Sequence, residues 1–204
     1  MAAQTAPAMP SGSATGHDDE HSRRDFLTIM AGSWALVGGA TALWPMLAQL
    51  SPDASTVAAG VPIDVDLSPI KEGQAITVSW RGKPIFIRHR TKAEVDAARA
   101  VPMSELKDPR AENADLPDDS DANDKNRVKA GKDQWLVLVG ICTHLGCIPG
   151  GQNLGEKKGE FGGWFCPCHG SQYDTSGRIR KGPAPRNLDV PPYAFLTDTK
   201  IKIG

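Results

Sequence analysis

The apolar residues of the chain follow two different patterns, one near the N-terminus and one in the remainder. Between Phe26 and Pro52 no residue is charged. A helix of roughly 25 residues, rising about 1.5 Å per residue, is long enough to cross a hydrocarbon core of about 30 Å. From residue 62 onward the apolar residues form short β-branched runs separated by Gly, Pro, Asp and Ser, as strands do. The chain is therefore predicted to have one transmembrane helix followed by a mainly β head.

Within the head, several runs either alternate or are continuously apolar, which predicts strands. They are residues 63–67, 75–80, 85–87, 134–141 and 193–203, the last being a hairpin about Asp198. Residues 81–84 (R-G-K-P) predict a turn before the third run. Residues 91–94 (T-K-A-E) form a capping box, which predicts a short helix through about Val101.

Three polar stretches are predicted to lie outside the packed structure. Residues 1–21 are rich in Ala, Pro, Ser and Gly and end in a polar run, which predicts a disordered tail. Residues 51–61 are predicted to be a flexible linker. Residues 108–124 contain seven acids and one arginine, which predicts a solvated surface loop, with docking against a partner subunit as the alternative.

Ser22-Arg23-Arg24-Asp25-Phe26-Leu27 stands directly before the apolar segment and is typical of a twin-arginine export signal. Residues 22–50 are accordingly predicted to be this signal together with a retained anchor. A cleaved signal peptide is the alternative, with small-residue sites at 40–42 or 57–59. The 204 residues carry 23 basic and 24 acidic side chains, so there is room for one modest domain, and no nucleic-acid partner is expected.

All four cysteines lie in two boxes, C-T-H-L-G-C at 142–147 and C-P-C-H-G-S-Q-Y at 166–173. Each box has a histidine beside a cysteine, which predicts one metal site built from two loops. A zinc site would normally use every cysteine, yet only Pro167 separates one pair. A Rieske [2Fe-2S] centre fits the pattern better than a zinc site. Each box would supply one thiolate and one imidazole, and the spare cysteine of each box would form a disulfide. A zinc knuckle or plain disulfide loops are the alternatives.

The two boxes resemble those of the Rieske iron-sulfur subunits of bacterial cytochrome bc1 complexes, and the stretch from residue 80 to 91 is similar to the same family. The resemblance implies a Rieske-type antiparallel β head over residues 62–204, with a loop-built [2Fe-2S] subdomain at about 140–185. It implies that Cys142 and Cys166 supply thiolate ligands, that His144 and His169 supply imidazole ligands, and that Cys147 and Cys168 form a disulfide. It also implies that Ser171 and Tyr173 donate hydrogen bonds to cluster sulfur. Leu145, Gly146 and Pro183 would form a quinol-docking face.

The resemblance also implies a function. The subunit would take one electron from ubiquinol, with a proton at His169, and pass the electron to cytochrome c1, while cytochrome b takes the second electron. The expected setting is a dimeric, proton-translocating oxidoreductase complex in the bacterial inner membrane, with the N-terminus cytoplasmic and the head periplasmic. The alternatives are a Rieske small subunit of an exported oxidase such as arsenite oxidase, and a soluble dioxygenase ferredoxin. The ferredoxin family lacks the disulfide pair, so Cys147 and Cys168 argue against it.

Overall fold

The computed structural model describes residues 23–153 and 155–204. The chain divides into two compact units, residues 1–52 and 53–204, and each is described separately. The tail predicted for residues 1–21 and the first residue of the export signal, Ser22, lie outside the described residues.

The first unit contains helix α1, Arg23–Ala48. Its 26 residues correspond to roughly 39 Å, more than the hydrocarbon thickness of about 30 Å. Within the described part of the chain it is the one helix long and apolar enough to cross a membrane, and the prediction of such a helix is confirmed. Pro45 lies inside α1 and does not end it, because the Pro45 carbonyl still accepts a hydrogen bond from the Gln49 N–H at 3.0 Å.

The second unit begins with a short helix, α2, Ala54–Ala59, inside the segment predicted to be a flexible linker. The cause is a local cap. The Asp53 carboxylate accepts a hydrogen bond from the Thr56 N–H at 2.6 Å, which satisfies one of the free donors at the helix start. Once capped, the alanine-rich sequence favours the helix.

The head consists of three antiparallel sheets with three strands each in the described residues. The sheet orders are β1-β9-β8, β2-β3-β4 and β5-β6-β7. The strands are β1 Ile63–Asp66, β2 Ala75–Trp80, β3 Lys83–His89, β4 Trp135–Val139, β5 Gly162–Cys166, β6 Ser171–Asp174, β7 Ile179–Lys181, β8 Tyr193–Thr197 and β9 Lys200–Ile203. The predicted antiparallel β head is confirmed.

The core contains buried side chains from all three sheets. Every residue of β4 is buried, which agrees with its continuously apolar sequence. Phe86 of β3 stacks on Trp164 of β5, with ring centroids 6.1 Å apart. Because β4 ends three residues before Cys142, the packed core leads directly into the first cysteine box.

Two local predictions in this core have different outcomes. The capping box is present at Thr91, and helix α3 runs over Lys92–Ala100 as predicted. The predicted turn over 81–84 is too long, because Trp80 already pairs with Lys83 across the hairpin. The turn consists of Arg81 and Gly82, both with positive φ (51° and 70°), as a two-residue hairpin turn requires.

Residues 108–124 are solvated only in part. Both ends of the segment pack into the head, where the prediction of a solvated surface loop is wrong, whereas Asp115, Asp118, Asp119 and Asp121 are exposed as predicted. Asp108 and Asp124 are only 4% and 2% exposed. The Asp124 carboxylate lies 2.6 Å from Nη1 of Arg90, and both side chains are fully buried. It also accepts a hydrogen bond from the Ser176 hydroxyl at 2.8 Å. A count of charges within the segment does not predict the burial of Asp124, because its partners Arg90 and Ser176 come from distant parts of the chain.

Arg127, just after the acidic segment, is fully buried and donates hydrogen bonds to backbone carbonyls of three separate segments. Its Nε lies 2.7 Å from the Ser176 oxygen and its Nη2 2.6 Å from the Leu188 oxygen, and Nη1 donates to Ala111. Burial lowers the pKa of Arg127 to about 10, so the group is still protonated at neutral pH. Arg127 therefore joins the acidic segment to the turn after β6.

We predict that Asp124→Asn lowers the free energy of unfolding of the head by about 3 kcal/mol, because Arg90 is left buried without its counter-charge. Urea unfolding of the detergent-solubilised chain, followed by tryptophan fluorescence, measures this loss. Asp96→Asn is the matched control, since it breaks an exposed pair with Lys92 and should change stability by no more than about 0.5 kcal/mol. Equal effects of the two substitutions would contradict the prediction.

The effect of Asp124→Asn on the free energy of unfolding is also predicted to depend on pH. Burial raises the pKa of Asp124, but the hydrogen bond and charge of Arg90, together with Ser176, outweigh it and hold the pKa below its ordinary value. The stabilisation is therefore complete above the unfolded pKa of about 3.9 and is lost as pH falls through the lower folded pKa. The stability difference between the original chain and Asp124→Asn should accordingly shrink in urea titrations at the most acidic pH values.

Candidate metal centre

The two cysteine boxes form loops of the same geometry. In the first, the Gly146 N–H donates to the Cys142 carbonyl at 3.0 Å, and in the second, the Gly170 N–H donates to the Cys166 carbonyl at 3.0 Å. Gly146 and Gly170 have φ values of 82° and 79°, in the left-handed region that glycine adopts without strain. Each loop therefore reverses direction over one turn, with its histidine between the cysteine and the glycine.

Strand ends hold both loops in place. The first follows β4 and is closed by a hydrogen bond of 2.7 Å from the Cys142 N–H to the Cys147 carbonyl. The second connects β5 to β6, where Cys166 pairs with Ser171 across the two strands. The boxes are consequently fixed at the edge of the core rather than carried on free loops.

A disulfide joins the two loops. It connects Cys147 to Cys168, and Cys142 and Cys166 are the free cysteines. The sulfur atoms of Cys147, Cys166 and Cys168 lie within 4.8 Å of one another, so the disulfide lies directly beside one of the free thiols. Two of these three sulfurs are already bonded to each other, which excludes them as a three-thiolate metal site.

The free cysteines meet inside the protein. Cys142 and Cys166 are 1% and 2% exposed, and their thiols contact each other. Burial raises the pKa of the Cys166 thiol, and the neighbouring Cys142 raises it further. Two adjacent buried thiolates require a compensating positive charge, which bound iron ions supply. The donor chemistry of this pair therefore fits a metal centre.

The histidines of the two boxes lie beside each other and are more exposed than the free thiols. The rings of His144 and His169 have centroids 4.7 Å apart and are nearly perpendicular, at 86°. His144 is half-buried and His169 is exposed. The structure thus brings together two buried sulfur donors and two outer nitrogen donors, the set that a Rieske cluster uses.

The two hydroxyl groups predicted to donate to cluster sulfur, those of Tyr173 and Ser171, are both buried. The Tyr173 hydroxyl donates a hydrogen bond to Sγ of Cys142 at 3.2 Å. Burial, and then this contact with Cys142, raise the pKa of Tyr173 well above its ordinary value, so the hydroxyl remains a protonated donor. The Ser171 hydroxyl oxygen accepts from the Ala184 N–H at 3.1 Å. Among the described residues this is its one hydrogen bond, so the Ser171 hydroxyl hydrogen has no acceptor among them.

The residues expected at a docking face lie on the surface near these loops. Leu145 is 70% exposed, and Gly146 and Pro183 are also exposed. The Thr143 hydroxyl donates to the Arg186 carbonyl at 2.7 Å. This bond links the first cysteine loop to the segment that follows Pro183.

The comparisons with known proteins agree with this site. A family model described as "Rieske [2Fe-2S] domain" matches residues 110–193, and one described as "Ubiquitinol-cytochrome C reductase Fe-S subunit TAT signal" matches residues 13–53. The ubiquinol-cytochrome c reductase iron-sulfur subunit of Bradyrhizobium diazoefficiens is 59% identical over 186 residues, covering 91% of this chain and 96% of the relative. The chain belongs to the family of ubiquinol-cytochrome c reductase iron-sulfur subunits.

A second member of this family, from Blastochloris viridis, is 52% identical and covers 94% of this chain and 97% of the relative. A chain in the structure titled "Hyperthermophilic respiratory Complex III" is 28% identical, with a TM-score of 0.46, and covers 85% of this chain and 98% of that one. The latter similarity is too low to support an argument.

Family membership confirms several predictions. The cofactor is a Rieske-type [2Fe-2S] cluster, and the chain is a component of an oxidoreductase complex rather than an exported oxidase small subunit or a dioxygenase ferredoxin. The TAT signal match together with α1 indicates a membrane-anchored, exported subunit.

Three residues that support the site were not predicted from the sequence. They are Thr143, Lys107 and Asn187. Thr143 lies within the first box, and that position was the available signal. Lys107 and Asn187 carry no local signal, because Lys107 binds Gly182, 75 positions away along the chain, and Asn187 binds Asp108, 79 positions away.

We predict that Tyr173→Phe and Ser171→Ala each lower the midpoint potential of the cluster while the cluster still assembles. A lost hydrogen bond to a charged sulfur is worth about 1.4 kcal/mol, or about 60 mV for one electron. Redox titration by electron paramagnetic resonance measures the change. Tyr193→Phe is the control, since the buried Tyr193 hydroxyl has no hydrogen-bond partner among the described residues. Unchanged midpoints in both site variants would remove the hydrogen-bond role.

Proposed function

We propose that this chain is the Rieske subunit of a bacterial cytochrome bc1 complex, taking one electron from ubiquinol and passing it to cytochrome c1. Cytochrome b takes the second electron of the quinol within a dimeric, proton-translocating assembly. The name shared by the relatives, ubiquinol-cytochrome c reductase iron-sulfur subunit, supports this donor and this type of acceptor. Helix α1 anchors the subunit in the inner membrane, with the N-terminus cytoplasmic and the head periplasmic.

The proposed ligands are the thiolates of Cys142 and Cys166 and the imidazoles of His144 and His169. Their support is geometric: the two thiols are buried in contact, and the two rings are adjacent on the outer side. When bound, the cluster supplies a reversible one-electron acceptor. Neutral imidazoles in place of thiolates remove two negative charges from the ligand set, which makes electron acceptance easier.

The observation that carries the quinol role is the exposure of His169 directly beyond a buried thiol pair. An outward ring nitrogen of His169 can accept a hydrogen bond from a quinol hydroxyl and then its proton. Leu145, which is 70% exposed, and Pro183 form the apolar surface that meets the quinol site on cytochrome b. Tyr173 and Ser171 donate to sulfur and favour the reduced state.

The domain boundaries are part of the same proposal. Residues 22–50 form the signal and anchor, residues 51–61 the tether, and residues 62–204 the head, with the cluster subdomain at about 140–185. The tether includes α2, whose cap at Asp53 shortens the part of the linker that lacks secondary structure. The head moves on this tether between its quinol and cytochrome c1 positions.

We predict that His144→Ala and His169→Ala each abolish the Rieske signal in electron paramagnetic resonance spectra of membranes, because each removes a proposed ligand. His89→Ala is the matched control. The His89 ring stacks on Trp135 at a centroid distance of 4.1 Å and belongs to the second sheet, outside both cysteine boxes. An intact signal in either of the first two variants would disprove the ligand assignment.

The quinol-docking role is tested with Leu145→Arg, which places a charge on the proposed apolar face. We expect the cluster signal to be retained while quinol-dependent cytochrome c reduction falls by about tenfold, equivalent to about 1.4 kcal/mol of transition-state stabilisation. The control is Leu196→Arg, at a residue that is 47% exposed on β8. Activity equal to that of the original chain in the Leu145 variant would refute the docking face.

A further inference from the structure

The loop over residues 182–187, here named the cover loop, is held at its centre by one lysine. Nζ of Lys107 donates hydrogen bonds to the carbonyl oxygens of Gly182 at 2.7 Å and of Ala184 at 3.0 Å. These two carbonyls flank Pro183. Hydrogen bonds from a charged donor are stronger than neutral ones, so the ammonium fixes the backbone conformation on both sides of the proline.

The same part of the cover loop contacts Ser171. The Ala184 N–H donates to the Ser171 hydroxyl oxygen at 3.1 Å, and both residues are buried. The backbone at Gly182 lies so close that a Cβ added there would be 2.5 Å from the Ser171 Cα. Ala184 therefore connects the two groups: its carbonyl binds the Lys107 ammonium, and its N–H binds Ser171.

The end of the cover loop has a separate anchor that does not involve Lys107. The Asn187 N–H donates to the Asp108 carboxylate at 2.9 Å, and the Asn187 amide donates to the Asp108 carbonyl at 3.1 Å. The Asn187 side-chain oxygen also accepts from the Ile179 N–H at 2.8 Å. Because this buried anchor persists without the lysine, removing Lys107 releases the centre of the cover loop and leaves its end in place.

We propose that Lys107 is a positioning residue for the cluster site. Its ammonium holds Ala184 so that the Ala184 N–H occupies the Ser171 oxygen and the hydroxyl hydrogen points toward cluster sulfur. Lys107 does not touch the reacting atoms and acts through the backbone of the cover loop. This role rests on the proposed ligand set, and it gives the residues just before the acidic segment a function in setting the redox potential.

The test uses Lys107→Met in the full chain, assembled in its membrane complex. We expect the cluster to assemble, its midpoint potential to fall in the same direction as in Ser171→Ala, and the Ala184 amide to exchange roughly tenfold faster with deuterium. Lys107→Arg, which keeps a charged donor, should restore both properties. Lys202→Met on β9 is the matched control, because it removes an exposed lysine from a sheet without cysteine loops. An unchanged midpoint in Lys107→Met overturns the proposal.

A double variant separates positioning from a simple effect of charge. If Lys107 acts through Ser171, the combined Lys107→Met and Ser171→Ala variant has the midpoint of Ser171→Ala alone. Additive shifts would show a through-space effect of the ammonium and would overturn the positioning role. Should Lys107→Met fail to assemble, Lys107→Gln undergoes the same comparison. Different results would disprove the two proposals. An unsubstituted chain without a Rieske signal would disprove the proposed function, whereas an unchanged midpoint in Lys107→Met would disprove only the role of Lys107.

Discussion

Buried arginine charges are the interaction on which the arrangement of the head depends. Arg178, 1% exposed, binds the Asp174 carboxylate at 2.8 Å through Nε and donates to the carbonyls of Ala122 at 3.1 Å and Ala98 at 2.6 Å. A buried guanidinium without partners would be strongly destabilising. The Arg178 guanidinium therefore finds its partners only when β6, the acidic segment and α3 pack together. Arg127 likewise needs carbonyl partners from neighbouring segments.

The same strand that carries Asp174 also carries the two hydroxyl groups proposed to donate to cluster sulfur. β6 begins at Ser171, includes Tyr173 and ends at Asp174, and all of its residues are buried. A rigid strand fixes the direction of both hydroxyls more closely than a mobile loop could. The packing of the head and the electronic properties of the site consequently share one structural element.

Burial differs sharply across the site, and this difference suits its chemistry. The proposed sulfur ligands Cys142 and Cys166 lie inside, where low dielectric strengthens hydrogen bonds, and the Tyr173 hydroxyl contacts Cys142. His169 is exposed, as the proposed contact with quinol requires. The disulfide holds the two loops together at the boundary between these regions.

The sequence by itself determined the features that depend on neighbouring residues. The apolar run of α1, the capping box at Thr91 and the two cysteine boxes are local patterns, and each led to the correct element or cofactor. The Asp53 cap was also local, but the Ser, Pro, Ala and Gly content around it masked the short helix α2. Local composition also gave the wrong result for the two ends of residues 108–124, because carboxylates close in sequence look solvated whether or not a distant arginine reaches them.

Only the tertiary structure decided which polar groups are buried and what they bind. The Asp124 carboxylate meets Arg90 from 34 positions away, and Lys107 meets the cover loop from 75 positions away. No periodicity or spacing encodes such pairs, since they form when separate strands and loops pack around one core. The cofactor was therefore predictable from the sequence, whereas the contacts that support its site depend on long-range packing and on the need to satisfy every buried charge.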